Sequence, residues 1–199
     1  MSIKRDFDIV FSLTALIWLA PLLLLISILI KISSHGSVFF IQKRVGLNSR
    51  DFNIIKFRTM KQNPSNEGFL TIGNDDSRIT KIGWFLRKLK LDELPQLINV
   101  LKGDMSMVGP RPELRYFVNL YSKEDLEVLK VKPGITGLAS IKYSNEAELL
   151  KSAKNPEAFY LNEILPHKLK LNKQYIKEQS FILDLKLILL TIPKIFSKK

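Results

Sequence analysis

The 199-residue sequence contains no cysteine, which excludes disulfides, a thiolate nucleophile and zinc or iron–sulfur sites built on thiolates. Its two histidines, His35 and His167, are too few for a histidine-rich metal centre. A Ser-His-Asp arrangement would have to lean on one of these isolated residues. Acidic residues are scarce beside basic ones: 19 Asp and Glu against 31 Lys and Arg leave a formal charge of +12. That surplus implies an anionic partner, and nucleic acid, acidic lipid and phosphorylated metabolites all qualify. No heptad repeat or separate pairing element marks an oligomer, so a homodimer is left open. The length suits one domain with a membrane element and is too short for two large domains.

Charge is missing altogether from Ile9 to Ile30. As a helix this apolar run is long enough to cross a hydrocarbon core of about 30 Å. It exceeds the usual apolar core of a signal peptide and no small-x-small cleavage pattern follows it, so a membrane element is expected. Ala20-Pro21 falls at its centre, where proline removes a backbone donor and crowds the preceding turn, predicting a kink or break at Pro21. Basic residues flank both sides, Lys4 and Arg5 before, then Lys31, Lys43, Arg44, Lys56 and Arg58 after. A helix that enters, bends at Pro21 and returns keeps both sets in the cytoplasm, and an ordinary proline-kinked span fits the same pattern.

After the turn signal Ser33-Ser34-His35-Gly36-Ser37, Val38 to Ile41 reads as a short strand and Gln42 to Asn48 as a basic turn. Phe52 to Phe57 reads as a second strand, predicting a hairpin. Arg44, Lys56 and Arg58 on or beside this hairpin are candidates to bind a diphosphate or lipid headgroups, or else solvated surface charge. Lys61 to Ser77 is a polar loop, in which Asp75 and Asp76 lack a metal-loop spacing and suit a turn. Ile79 to Lys90 has one apolar face with Trp84 and Phe85 and one basic face with Lys81, Arg87 and Lys88, an amphipathic helix that suits an anionic interface or, equally, packing of Trp84 against the protein.

Asp92-Glu93 follows, with Pro95 just beyond. Proline favours a helical first turn and disfavours the α region for Leu94, so a helix should start near Pro95 with the acidic pair at its mouth. Adjacent carboxylates at such a junction can divide labour, one approaching a substrate while the other holds a cation; they also suit a helix dipole. Gly103 to Gly109 should turn the chain toward Pro110-Arg111-Pro112, where flanking prolines stiffen a guanidinium suited to a phosphate fork. Glu113 to Lys130 reads as a surface helix and Val131 to Ser140 as a loop. Glu146 to Ala153 and Pro166 to Gln179 read as helices. Phe181 to Ile192, interrupted by Asp184 and Lys186 and followed by Lys194, Lys198 and Lys199, reads as an interfacial helix, with a helix buried against the domain as the alternative.

Taken together, Gln42-Lys43-Arg44-Val45-Gly46, Lys56-Phe57-Arg58-Thr59-Met60, Leu91 to Leu97, Asn99 to Ser106, Val108 to Pro112, Lys132 to Gly137 and Asp184-Leu185-Lys186 cover nearly the whole chain in order. In this combination the sequence resembles the bacterial sugar transferase family, the monotopic phosphoglycosyl transferases that begin lipid-linked glycan assembly. The resemblance implies an α/β, mostly helical fold with a small β-hairpin or sheet. It implies a re-entrant membrane helix over residues 1–32, broken at a Ser-Pro pair, and a catalytic domain over 33–199 with amphipathic helices at the membrane interface. The family's place is the cytoplasmic face of the bacterial inner membrane. Asp92 falls on the family's nucleophile and Glu93 on its Mg²⁺-binding acid, with Arg87 and Arg111 on phosphate-contacting positions.

The implied reaction moves a sugar-1-phosphate from a UDP-sugar to polyprenyl (undecaprenyl) phosphate. It passes through a phosphosugar on Asp92, releases UMP and gives polyprenyl diphosphate-sugar for polysaccharide, lipopolysaccharide, capsule or glycoprotein glycans. The implied partners are UDP-sugar, polyprenyl phosphate and the bilayer, not nucleic acid. Three positions depart from the family pattern: Ala20 for serine, Ser140 for glutamine and Asn172 for aspartate. They bear on the membrane break, sugar preference and fine positioning. A non-enzymatic basic protein holding lipid or nucleic acid would also explain the charge, but gives Asp92-Glu93 and Arg111 no purpose. Inverting transfer to a soluble acceptor is a further alternative, which a phosphosugar on Asp92 would exclude.

Overall fold

A computed structural model describes residues 3–61 and 78–196. The loop predicted to Ser77, with Asp75 and Asp76, falls outside these residues beyond Lys61, as do Lys198 and Lys199. The fold is mostly helical with two small sheets, as expected.

The uncharged run lies within α1, Ile3–Ser33, a helix long and apolar enough to cross a membrane. It stays helical through Pro21, so of the expected kink or break the break does not occur, and a re-entrant course would be a bend within one helix. One missing N–H bond costs less in an apolar setting than the several unpaired backbone groups of a true break. Residues three and four apart, at Ala15, Leu16, Leu19, Leu22, Leu23, Ile26 and Ile30, lay one flank of α1 on the rest of the chain. The opposite flank, with Leu13, Ile17, Trp18, Leu24 and Leu25, is bare, Trp18 to 81%.

The hairpin forms from β1 (Phe39–Val45) and β2 (Asp51–Phe57), paired antiparallel from Phe39↔Phe57 to Val45↔Asp51. The first strand is longer than predicted. Gln42, Lys43 and Arg44 belong to it, and the turn tightens at Asn48 and Ser49, both at positive φ. Next comes α2 (Lys81–Lys88), capped by Thr80, whose hydroxyl accepts from Gly83 N at 2.9 Å. It leaves Trp84 and Phe85 exposed, in keeping with the interfacial reading of its sequence.

A one-turn 3₁₀ helix, Leu91–Glu93, leads into α3 (Gln96–Lys102) with Pro95 at the N-cap. Leu94 is helical, at φ −54° and ψ −36°, against the extended conformation expected before proline. Bonds from Leu94 N to Leu91 O and from Leu97 N to Leu94 O carry the turn across the junction, where proline's missing donor is not needed. Gly103, at φ 96°, ends α3 in a conformation that suits glycine.

The segment read as a plain turn then holds β3 (Ser106–Val108). After α4 (Arg115–Val118) and a 3₁₀ stretch, Asp125–Lys130, comes β4 (Gly134–Thr136), which pairs with β3 in parallel. The single helix expected over Glu113 to Lys130 is thus split, because the Ser122 hydroxyl takes Asp125 N at 3.1 Å and starts a new turn. A Cβ on Gly134 would lie 2.0 Å from Gly109 N, so the two sheet ends meet only as glycines.

The chain finishes with α5 (Leu138–Lys142), α6 (Glu146–Lys151), α7 (Pro156–Phe159), α8 (Leu165–Glu178) and α9 (Phe181–Phe196). A π-turn, Tyr160–Ile164, joins α7 to α8 and accommodates Pro166, which has no N–H to give. One core joins Ile54, Leu97, Val100, Met105, Met107, Tyr175 and Leu187; another gathers Phe117, Val128, Leu150, Tyr160 and Leu169. Along α9, Leu187 is buried while Ile182, Leu189 and Ile192 are bare.

Both ends of α1 are tied to this body. Lys4 donates to Val108 O at 2.9 Å and Tyr175 Oη at 3.0 Å and pairs with Asp184. Arg5 donates to Val100 O and Leu101 O, and Asp8 accepts from Met107 N at 3.0 Å. Lys4 and Arg5, read from sequence as topology charges, are spent in tertiary contacts. At the other end, Arg58 donates to Ser34 O and His35 O, each at 2.7 Å.

Candidate active site

The acidic pair reaches its place through an unusual residue. Lys90, at φ 56°, reverses the chain between α2 and the 3₁₀ turn, a left-handed conformation that costs a side-chain-bearing residue about 1 kcal/mol. The turn then points both carboxylates into a protein-walled site. Arg111 grips both oxygens of Glu93, with Nη1 at 3.1 Å from Oε2 and Nη2 on Oε1. Lys56, from β2, reaches Oε1 at 3.0 Å. Burial by itself would raise the Glu93 carboxyl, but Arg111 and Lys56 overcome it and hold the group well below the usual carboxylate range. Burial lowers the Lys56 ammonium against the pull of Glu93, whereas Glu93 raises the Arg111 guanidinium.

Asp92 is the opposite case. It is 9% exposed, and its Oδ1 has no hydrogen-bond partner among the described residues. Burial, then the neighbouring charge of Glu93, raises its carboxyl above the ordinary value, while Lys56, Lys90 and Arg87 pull it back. Two adjacent acids are therefore driven apart: one is a clamped anion, the other a desolvated carboxylate with an unused oxygen. Such a carboxylate is a competent nucleophile once a cationic partner favours its charged form.

The Arg111 loop is held at almost every residue. Val108 O accepts from Lys4 and Tyr175, Gly109 N donates to Thr136 O, and Pro110 O accepts from Gly134 N. Pro112 O accepts from Arg44 at 3.4 Å, and Glu113 O from Val45 N. The Glu113 carboxylate accepts from Tyr160 at 2.7 Å and Lys168 at 2.8 Å, and Lys168 also pairs with Glu146 at 3.1 Å. Burial opposes ionisation of Glu113 and Lys168, yet each holds the other charged, so Glu113 is lowered and Lys168 raised.

Of the residues proposed from sequence, the structure gathers Asp92, Glu93, Lys56 and Arg111 at one point, with Arg87 near enough to favour the Asp92 anion. Arg44 lies behind Arg111 and bonds Gln42 and Pro112. Arg58 is not brought to the pair: it is 5% exposed and occupied by the carbonyls after α1. Pro21 lies inside α1, away from the pair, with helix on both sides of it. Asn172 lines a small cavity with Arg111, Glu113 and Tyr121, and the Ser140 hydroxyl is buried without a partner among the described residues. The buried Tyr160–Lys168–Glu113 support was missed. Its only sequence signal was Glu113 directly after Pro-Arg-Pro.

Known proteins resemble this chain over most of its length. The bacterial sugar transferase family model matches residues 1–198. A UDP-N-acetylgalactosamine-undecaprenyl-phosphate N-acetylgalactosaminephosphotransferase from Aeromonas hydrophila is 45% identical over 73% of this chain and 35% of its own length. An undecaprenyl-phosphate glucose phosphotransferase from Komagataeibacter xylinus is 40% identical over 98% of this chain and 36% of its own. The uncharacterized sugar transferase EpsL of Bacillus subtilis is 38% identical over 98% of this chain and 88% of its own. The chain thus spans about a third of the first two proteins and most of the third. With the acidic pair, the Arg111 loop and the hairpin lysine all falling inside the matched region, the chain belongs to the bacterial sugar transferase family.

Proposed function

We propose that this chain transfers a sugar-1-phosphate from a UDP-sugar to undecaprenyl phosphate in two displacements at Asp92. The observation that carries the reading is the buried, unpartnered Oδ1 of Asp92 beside a Glu93 held by Lys56 and Arg111. Asp92 attacks the phosphorus that bears the sugar; a P–O bond to the carboxylate forms, the P–O bond to UMP breaks, and UMP leaves with the electron pair. An oxygen of the polyprenyl phosphate then attacks the same phosphorus and releases Asp92. Arg111, Lys56 and Arg87 offset the charge that gathers on the transferring group.

The residues fit Mg²⁺, because that ion is usually held by one or two carboxylates together with substrate phosphates. Among the described residues no group of three or more acidic or histidine side chains forms a closed cage, while Glu93 Oε2 accepts only from Arg111 Nη1 and has a lone pair to give a cation. Glu93 would hold it together with substrate phosphates, leaving Asp92 Oδ1 for attack, and when bound it supplies further charge neutralisation at the phosphates.

Both ends of α1 rest on the same folded body, which supports a re-entrant placement with both ends on the cytoplasmic face of the inner membrane. The bare flanks of α1 and α9 and the exposed Trp84 and Phe85 then meet lipid. The test is the intact mass of the purified protein after mixing with Mg²⁺ and a panel of UDP-sugars, without polyprenyl phosphate. A gain of one phosphosugar, absent in Asp92→Asn, is expected. Product formation with acceptor but no adduct with any donor would remove Asp92 as nucleophile.

A further inference from the structure

The two substrates of this reaction come from different phases, and the hairpin joins the route from one of them to the acidic pair. Phe40 stands directly opposite Lys56 in the β1–β2 ladder. Opposed residues share a sheet face with Cβ atoms about 5 Å apart, so the Phe40 ring lies on the same face as the lysine that holds Glu93. It is 46% exposed. Two residues earlier, Val38 O accepts from Arg58 N, and the Arg58 guanidinium binds the carbonyls that follow α1. Phe40 therefore stands between the end of the membrane helix and the catalytic carboxylates. Its neighbours Phe39 and Ile41, on the other hairpin face, are also exposed.

A strand end bare and apolar on both faces is costly in water and is at home against a bilayer. The nucleotide donor arrives from water, whereas the prenyl phosphate arrives from lipid with its charge leading and its hydrocarbon trailing. With that phosphate against Lys56 and Arg111, its first isoprene units must leave past an apolar wall. The geometry points to Phe40 as that wall: a positioning contact for the isoprenoid chain of the acceptor, with no part in donor binding. This rests on the function proposed above and adds the residue that separates its two half-reactions.

The experiment compares Phe40→Ser, Phe40→Gln and Phe40→Leu with the parent protein in detergent and in vesicles. Adduct formation is followed with UDP-sugar alone, and turnover is followed against undecaprenyl phosphate and against farnesyl phosphate. Phe40→Ser and Phe40→Gln should raise the KM for both prenyl phosphates by about tenfold, what losing half a buried phenylalanine contact costs. They should leave the adduct rate within about twofold and vesicle binding unchanged, and Phe40→Leu should recover most of the loss. An unchanged acceptor KM would overturn the assignment. So would an adduct rate that falls in step with turnover, which would move Phe40 to the donor or the scaffold, or a loss explained wholly by weaker vesicle binding. If the parent protein forms no adduct at all, the covalent route fails separately, and the acceptor KM of overall turnover still decides the role of Phe40.

Discussion

Removing the Arg111 fork should expose how the site keeps Glu93 charged. In Arg111→Met the Glu93 carboxylate, 11% exposed at its side chain, keeps only Lys56. Deleting one partner of a buried pair costs about 3–5 kcal/mol. Lys56 stays in place and Arg111 is itself 32% exposed, so about 2–3 kcal/mol is expected at neutral pH. The pH dependence carries the sharper test. With Arg111 present Glu93 is lowered, so its stabilising contribution is present above its unfolded pKa and is lost only as pH falls through the lowered folded value. Without Arg111, burial dominates and the folded pKa rises. The variant then protonates Glu93 earlier as pH falls and escapes the cost of a buried anion left with Lys56 and without its Arg111 fork. Denaturant unfolding of both proteins from neutral to acidic pH should therefore show a stability gap that narrows as pH drops through the variant's own Glu93 pKa. Arg111→Lys, which keeps the charge and loses the fork, should lie between them. A gap that stays constant with pH would refute the argument and make Arg111 a packing residue.

Three further outcomes follow from the same geometry. The rate of adduct formation should fall as pH drops through an Asp92 pKa above the ordinary aspartate value, and its pH profile should shift down if the acid limb belongs to a lowered group instead. Lys90→Gly and Lys90→Val lose the same cation, so the left-handed conformation should leave Lys90→Gly more stable than Lys90→Val by at least about 1 kcal/mol; equal melting temperatures would refute the strain. A double-mutant cycle of Lys4→Met and Asp184→Asn should give a coupling of about 1–3 kcal/mol in unfolding, and additive losses would mean that this pair does not hold α1 to α9.

Much of this protein was legible from neighbours in sequence. Strand-forming residues either side of a turn signal wrote the hairpin, helical spacing of apolar residues wrote α2, and an uncharged run wrote α1, because each signal is local. The motif around Asp92 and Glu93 marked the candidate site, and Pro-Arg-Pro marked Arg111 as its companion. What the sequence did not carry was the identity of distant partners. Lys4 and Asp184 are 180 residues apart, Arg111 and Glu93 are 18 apart, and nothing in either local pattern names the other. Arg58 and Lys56 lie two positions apart with similar charge, yet one closes the end of α1 and the other holds Glu93. Three-residue β3 and β4 are too short to show a period and exist because Gly109 and Gly134 let two backbones touch. Local chemistry determined which groups the chain carries; only the packed structure decided which carboxylate is clamped, which is left with a free oxygen, and which cations are spent on the fold.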